Sequence, residues 1–224
     1  MHRKLPLLGV ILAAGLFSIP AVFPAEHWAV FTDRRQNPLI LEAMQSGDLA
    51  DALETARALG RREDVYVADI LSGLLSRRQE LPILFLLRAM FPPAESSRSL
   101  SERLSANTQG LDELAAGLGG FSLALRREVV RLLRHSGNRA YDGPVLLQAA
   151  WLGERLRAQG GRAEAELAGL ALEVLAYAES SANPVFLDAV LRLQESSRSA
   201  PIAHRAAAVA AELAKRASGN PGEW

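Results

Sequence analysis

The chain contains no cysteine. Disulfides, zinc–thiolate sites and thiol nucleophiles are therefore excluded, as is lipid attachment to an N-terminal cysteine. Any fold must be held by its apolar core. Net charge is also lacking, since 25 basic and 25 acidic residues cancel. Arg3 and Lys4 are the only charges before Glu26, so the chain beyond residue 25 carries 23 basic against 25 acidic side chains. Nucleic-acid binding, which needs a strongly basic surface, is not expected. Strand signals are scarce as well: the Asp142-Gly143 dipeptide lies between helical patterns, not between alternating apolar runs.

Recognisable catalytic and cofactor motifs are missing too. The histidines, His2, His27, His135 and His204, share no metal-ligand spacing and form no H-E-x-x-H. No G-x-S-x-G, P-loop or dinucleotide fingerprint occurs, and the glycines at 117, 119 and 120 do not follow a strand. The expectation is a protein without metal or cofactor, and not an enzyme.

The first 25 residues read as a targeting segment. Met1-His2-Arg3-Lys4 is a short positive start, and Leu5 to Ala25 holds no charge in 21 residues. That length just reaches the ~20 apolar residues a membrane span needs. Pro20 and Pro24 interrupt its end, leaving a clean apolar core from Leu7 to Ile19, which suits a signal peptide. A cleaved leader, with cleavage after Ala21 or Ala25, and an N-terminal anchor through residues 5–25 both stay open. Either reading places the protein outside or at the cytoplasmic membrane. Residues 26–36 read as a linker and 218–224 as a frayed tail.

Between them, over 37–217, the apolar residues recur at helical spacing. The clearest unit is 183–217. Asn183 suits an N-cap and Pro184 the first helical position. Phe186, Val190 and Leu193 then share one face, and Val185, Leu187, Ala189 and Leu191 widen it into a helix covered on more than one side. A polar turn at Ser196–Ser199 leads to a second helix with Ile202, Ala206, Val209 and Leu213 on its face. Seven alanines between Ala203 and Ala214 let that helix approach its neighbours closely. A large-residue helix followed by an Ala-rich one is similar to a HEAT repeat.

A second copy supports the resemblance. Gly143-Pro144-Val145-Leu146-Leu147 matches Asn183-Pro184-Val185-Phe186-Leu187 at a spacing of 40, giving a unit over 143–179. Pro82-Ile83-Leu84-Phe85 leads likewise to Glu95-Ser96-Ser97-Arg98-Ser99, a string identical to Glu195–Ser199. Upstream, Gly47-Asp48 and Gly60 punctuate helical runs, and the Gly-Asp-Leu-x-x-Ala-Leu cadence also resembles a TPR pair. Leu81 to Phe91 reads as a helix buried on most sides, stopped by Pro92-Pro93. Residues 94–120 carry the weakest repeat pattern, with short helical pieces around Leu100–Ser105 and Leu111–Leu118, and are the place for any irregular insertion. The resemblance implies an all-α, right-handed superhelix of helical hairpins.

Three sets of residues compete for a functional role. Arg127, Arg131 and Arg134 lie at i, i+4, i+7, with Arg126, His135 and Arg139 nearby, and form a candidate anion- or acid-binding stripe. The plainer reading is a solvated helix face pairing with neighbours such as Glu128. Glu-Ser-Ser occurs at 95–97, 179–181 and 195–197. It resembles the Glu-Ser pair of lytic transglycosylases, but that family's companion Gly-Leu-Met-Gln-type motif is missing, and Ser at helix ends suits turns. Trp151 is expected to pack inside its repeat. The expected function is a protein-binding or scaffold role in the bacterial cell envelope through a helical-repeat surface. An envelope glycan-cleaving enzyme and a TPR-like adaptor in a membrane complex are the alternatives.

Overall fold

A computed structural model describes residues 37–61, 67–92, 100, 103–105, 107–159 and 161–219. The leader, the linker and the last five residues lie outside that set. All regular structure among the described residues is helical. Ten α-helices can be bounded among the described residues, in order α1 (Asn37–Gln45), α2 (Leu49–Gly60), α3 (Ala68–Ser76), α4 (Glu80–Met90), α5 (Thr108–Gly117), α6 (Leu123–Ser136), α7 (Asp142–Gln159), α8 (Gly161–Ser181), α9 (Leu187–Ser196) and α10 (Ala200–Gly219), and residues 100 and 103–105 are helical as well. None is long and apolar enough to cross a membrane.

The helices pair as consecutive hairpins and stack in two rows. Odd-numbered helices pack α1 on α3, α3 on α5 and α7 on α9, and the 3₁₀ turn Leu118–Gly120 joins α5 to α7. Even-numbered helices pack α2 on α4 on α6 on α8 on α10. Each hairpin thus touches chiefly its neighbours, which is the contact pattern of a repeat array. The core runs between the rows. Phe186, Val190 and Leu193 from α9 and its lead-in are fully buried, as are Ile202, Ala206, Val209 and Leu213 from α10. Burying side chains of that size contributes about 1.5–3 kcal/mol each, alanine excepted. Helix α4 buries Ile83, Leu84, Leu86, Leu87 and Met90 and leaves Arg88 exposed, as its composition requires.

Local chemistry sets the helix boundaries. Gly47, at φ +87°, turns the chain after α1, and the Asp48 carboxylate then accepts from the Ala50 and Asp51 N–H groups to cap α2. Gly137 ends α6 in the left-handed conformation. Gly60 closes α2 where α4 comes so near that a Cβ would stand 2.2 Å from the Ala89 carbonyl oxygen. Polar ties between hairpins recur at similar sequence separations. Asn107 Oδ1 accepts from Val67 N–H, the Glu80 carboxylate from Ser122 N–H, and Asp142 Oδ2 from Asn183 Nδ2, at separations of 40, 42 and 41.

Several expectations need correction. The spacing of 40 is local: Gln45 ties to Gly73 across 28 residues and Tyr141 to Asp112 across 29. Pro144 and Pro184 do not open equivalent elements. Asn183 caps the 3₁₀ turn Pro184–Phe186 that precedes α9, whereas the matching cap before α7 is Asn138, on the turn Arg139–Tyr141, and Pro144 sits inside α7's first turn. Residues 195–199 close α9 inside a hairpin, while 95–99 follow the second helix of theirs and lie outside the described residues. Of the residues expected to widen the α9 face, Ala189 is buried and Leu187 packs on the core, but Val185 and Leu191 are exposed. The helical piece around Leu111–Leu118 is present as expected: it is α5, whose Gly110 lets it press against Leu71 of α3.

Candidate interaction surface

Helix α6 lies between α4 and α8, so the side carrying its arginines meets protein as well as solvent. Arg131 is only 7% exposed. Its Nε and Nη2 donate to Glu128 Oε1 one turn earlier, and Nη2 also donates to the Phe91 carbonyl at the end of α4. Arg88 of α4 approaches the same carboxylate from its solvent side, at 4.0 Å. Arg134 is half-buried and reaches Glu173 Oε2 of α8 at 3.4 Å. Arg127 is exposed and lies across α8, its Nη1 3.1 Å from where a Cβ on Gly169 would stand.

The three arginines therefore do not form one solvated stripe. Pairing with Glu128 occurs, as the plainer reading expects, but it is buried and fastens α6 to α4. A buried pair of this kind recovers little more than its own desolvation cost, so its main effect is to fix geometry. His135 follows directly, and burial first, then Arg134 and Arg131, hold its imidazole below the usual histidine range.

A second arginine cluster sits where α6 meets α7. Arg126 spans the end of the α5 segment: Nε donates to the Phe121 carbonyl at 2.6 Å, Nη2 to the Gly119 carbonyl and Nη1 to Gln148 Oε1 at 3.2 Å. Of these acceptors, the Gly119 carbonyl is one left open where the 3₁₀ turn after α5 ends. The same guanidinium lies 4.5 Å from the centre of the Trp151 ring, and Arg155 lies 5.6 Å from it. Both distances suit a cation–π contact. Burial lowers the Arg126 pKa; the Glu80 carboxylate opposes that shift and Arg155 adds to it. Trp151 is partly buried and packs against the core, as expected of its repeat, while Leu147 one turn before it is 69% exposed.

The most connected buried carboxylate is Asp142, at the start of α7 and 7% exposed. Tyr177 Oη donates to its Oδ1 at 3.0 Å, Ser181 Oγ to the same oxygen at 2.9 Å, and Asn183 Nδ2 to Oδ2 at 2.8 Å. Asn183 also accepts the Val185 N–H at 3.1 Å, so one amide caps a turn and ties it to the previous hairpin. The Tyr177 phenol is raised above its usual range by burial first and by Asp142 second. Its ring packs on Phe186 at 5.7 Å. All four partners are occupied with one another, which is the signature of a structural joint.

The two described glutamates of the Glu-Ser-Ser strings are both solvent-exposed. Glu179 is exposed and ion-paired with Arg205, and Glu195 is exposed near the end of α9. Glu95 lies outside the described residues. His204 is exposed on α10, and among the described residues no group of three metal-ligating side chains comes together. Sequence reasoning missed the joint at Asp142 and the pair of arginines on Trp151. A signal for the second existed, since Leu147, Trp151 and Arg155 recur at i, i+4, i+8. No family model matches the chain, and no curated protein or solved structure matches it either.

Proposed function

We propose that the protein is a non-enzymatic binding or scaffold protein of the bacterial cell envelope, working through the outer surface of a HEAT-like, right-handed superhelix. One observation carries the reading: five hairpins stacked in two rows, each tied chiefly to its neighbours. Such arrays bury their core between the rows and leave long helical faces for gripping another macromolecule. Hairpins of unequal length, with ties at 28 and 29 residues beside others near 40, fit irregular HEAT-like units better than the regular 34-residue TPR pair. Residues 1–25 serve as the export signal or membrane anchor, and a protein of the envelope is the partner. The role of Arg127 and Arg134 in this reading is at the edge of the surface, with Arg131 holding α6 in place.

Two measurements test it. Fractionation of intact cells, with N-terminal sequencing of the mature protein, is expected to find the chain in the periplasm or on the membrane; recovery from the cytosol with Met1 intact would refute the location. Affinity capture after crosslinking in intact envelopes is expected to return a stoichiometric protein partner. Recovery of the bare chain, together with glycan-cleaving activity lost on changing Glu179 or Glu195, would replace the scaffold reading by the enzymatic one.

A further inference from the structure

We infer that the outward stripe Leu147–Trp151–Arg155 of α7, with Arg126 behind it, docks an acidic, apolar segment of a protein partner. The inference rests on the binding role proposed above and says where on the surface, and with what chemistry, that role is performed.

The stripe is a single helical ridge. Residues four apart lie on one face, ~5–6 Å from each other. Leu147 is 69% exposed, more than any other large apolar side chain described. Its neighbour on the ridge is a partly buried indole that packs on the core, and the next is an exposed arginine 5.6 Å from that indole. Exposed leucines scattered singly need no explanation. Here one adjoins a tryptophan and an arginine, the residue types that dominate the energy of protein interfaces.

Charge decides the kind of partner. Two guanidiniums, Arg126 and Arg155, meet at one indole, and the Arg155 charge disfavours that of Arg126. Arg126 is held there by three acceptors, of which two are backbone carbonyls and the third is the neutral Gln148 amide. Glu80 acts on Arg126 from a distance but is itself engaged with the Ser122 N–H. Among the described residues no carboxylate is ion-paired with Arg155; Glu154 beside it in sequence is exposed and not paired with it either. A carboxylate from outside, arriving next to a large apolar side chain, relieves the repulsion and covers Leu147 and the open edge of Trp151 together. A basic segment would meet two like charges. On the other side of the ridge α9 continues the surface, with the Arg192 side chain 3.7 Å from where a Cβ on Gly153 would stand.

The test places the photocrosslinker benzoylphenylalanine at position 147 of the full-length protein, and separately at Leu172, an exposed leucine on α8 in the other row. Cells that make the protein natively are illuminated, and the crosslinked segment is mapped by mass spectrometry. Position 147 is expected to yield one dominant adduct whose mapped segment carries Asp or Glu beside a large apolar residue. Arg155→Glu in the same chain is expected to lower that yield roughly tenfold, the loss typical of a central interface arginine. Arg155 is exposed, so a matching melting temperature checks that this variant still folds. A basic segment, a lipid or nucleic-acid adduct, or a yield indifferent to Arg155→Glu would overturn the inference. Adducts at 172 and none at 147 would overturn this surface and leave the binding role standing; adducts at neither would overturn both.

Discussion

Replacing Asp142 by alanine removes the acceptor shared by three donors from two other parts of the fold. Tyr177 Oη is buried, and leaving such a donor without a partner costs about 1–3 kcal/mol. Ser181 and Asn183 are half-buried and regain water in part, so their lost bonds cost about 0.5–1.5 kcal/mol each. Alanine returns roughly half a kcal/mol through its helix propensity. The net expectation is a loss of about 3 kcal/mol. Asp142→Asn is gentler. It keeps the oxygen facing Tyr177 and Ser181 but turns an amide N–H₂ toward Asn183 Nδ2. Asn183 cannot answer by flipping, because its own oxygen holds the Val185 N–H; about 1–2 kcal/mol is expected. Because Asp142 joins α7 and α8 to the entry of α9, the loss is local. Hydrogen exchange is expected to accelerate first in α9 and α10, with α1 to α4 little changed. Urea unfolding gives the total. A loss under ~0.5 kcal/mol for Asp142→Ala, or protection falling evenly along the chain, would refute the assignment of Asp142 as a joint.

Three further outcomes follow from the same geometry. Arg131→Met strands the buried Glu128 and the Phe91 carbonyl and is expected to cost about 3 kcal/mol in chemical unfolding, while Arg131→Met with Glu128→Met recovers most of it. Gly60→Ala is expected to destabilise by ~2 kcal/mol despite alanine's better helix propensity, since the new methyl meets the rigid Ala89 carbonyl; a gain in melting temperature would contradict the close approach of α2 and α4. His135 has a folded-state pKa below its unfolded one, so its neutral form is the one the fold favours. Stability from this site is full above about pH 6.5 and declines as pH falls from there through the lowered value. His135→Gln is expected to flatten that part of the stability–pH curve, measured by thermal unfolding between about pH 7 and 5.

The sequence by itself determined that the chain is helical and, over much of its length, where the helices stop. Asp48, Gly47, Gly137 and Asn183 act on the backbone within a few residues of themselves, so their effects are readable locally. The stripes Phe186/Val190/Leu193 and Ile202/Ala206/Val209/Leu213 are likewise fixed by helical period alone. What a helix meets on its second side is not local. Arg127, Arg131 and Arg134 look alike in sequence, and only the placement of α6 between α4 and α8 buries one, half-buries another and leaves the third outside. The same holds for Trp151, which packs on the core and meets two guanidiniums there, and for Asp142, whose three donors come from 35, 39 and 41 residues away. Hydrogen bonds and ion pairs across such separations depend on how hairpins stack. That stacking is decided by the whole set of apolar faces at once, which is why tertiary structure alone divided the arginines into one buried between α6 and α4, one half-buried against α8 and one exposed.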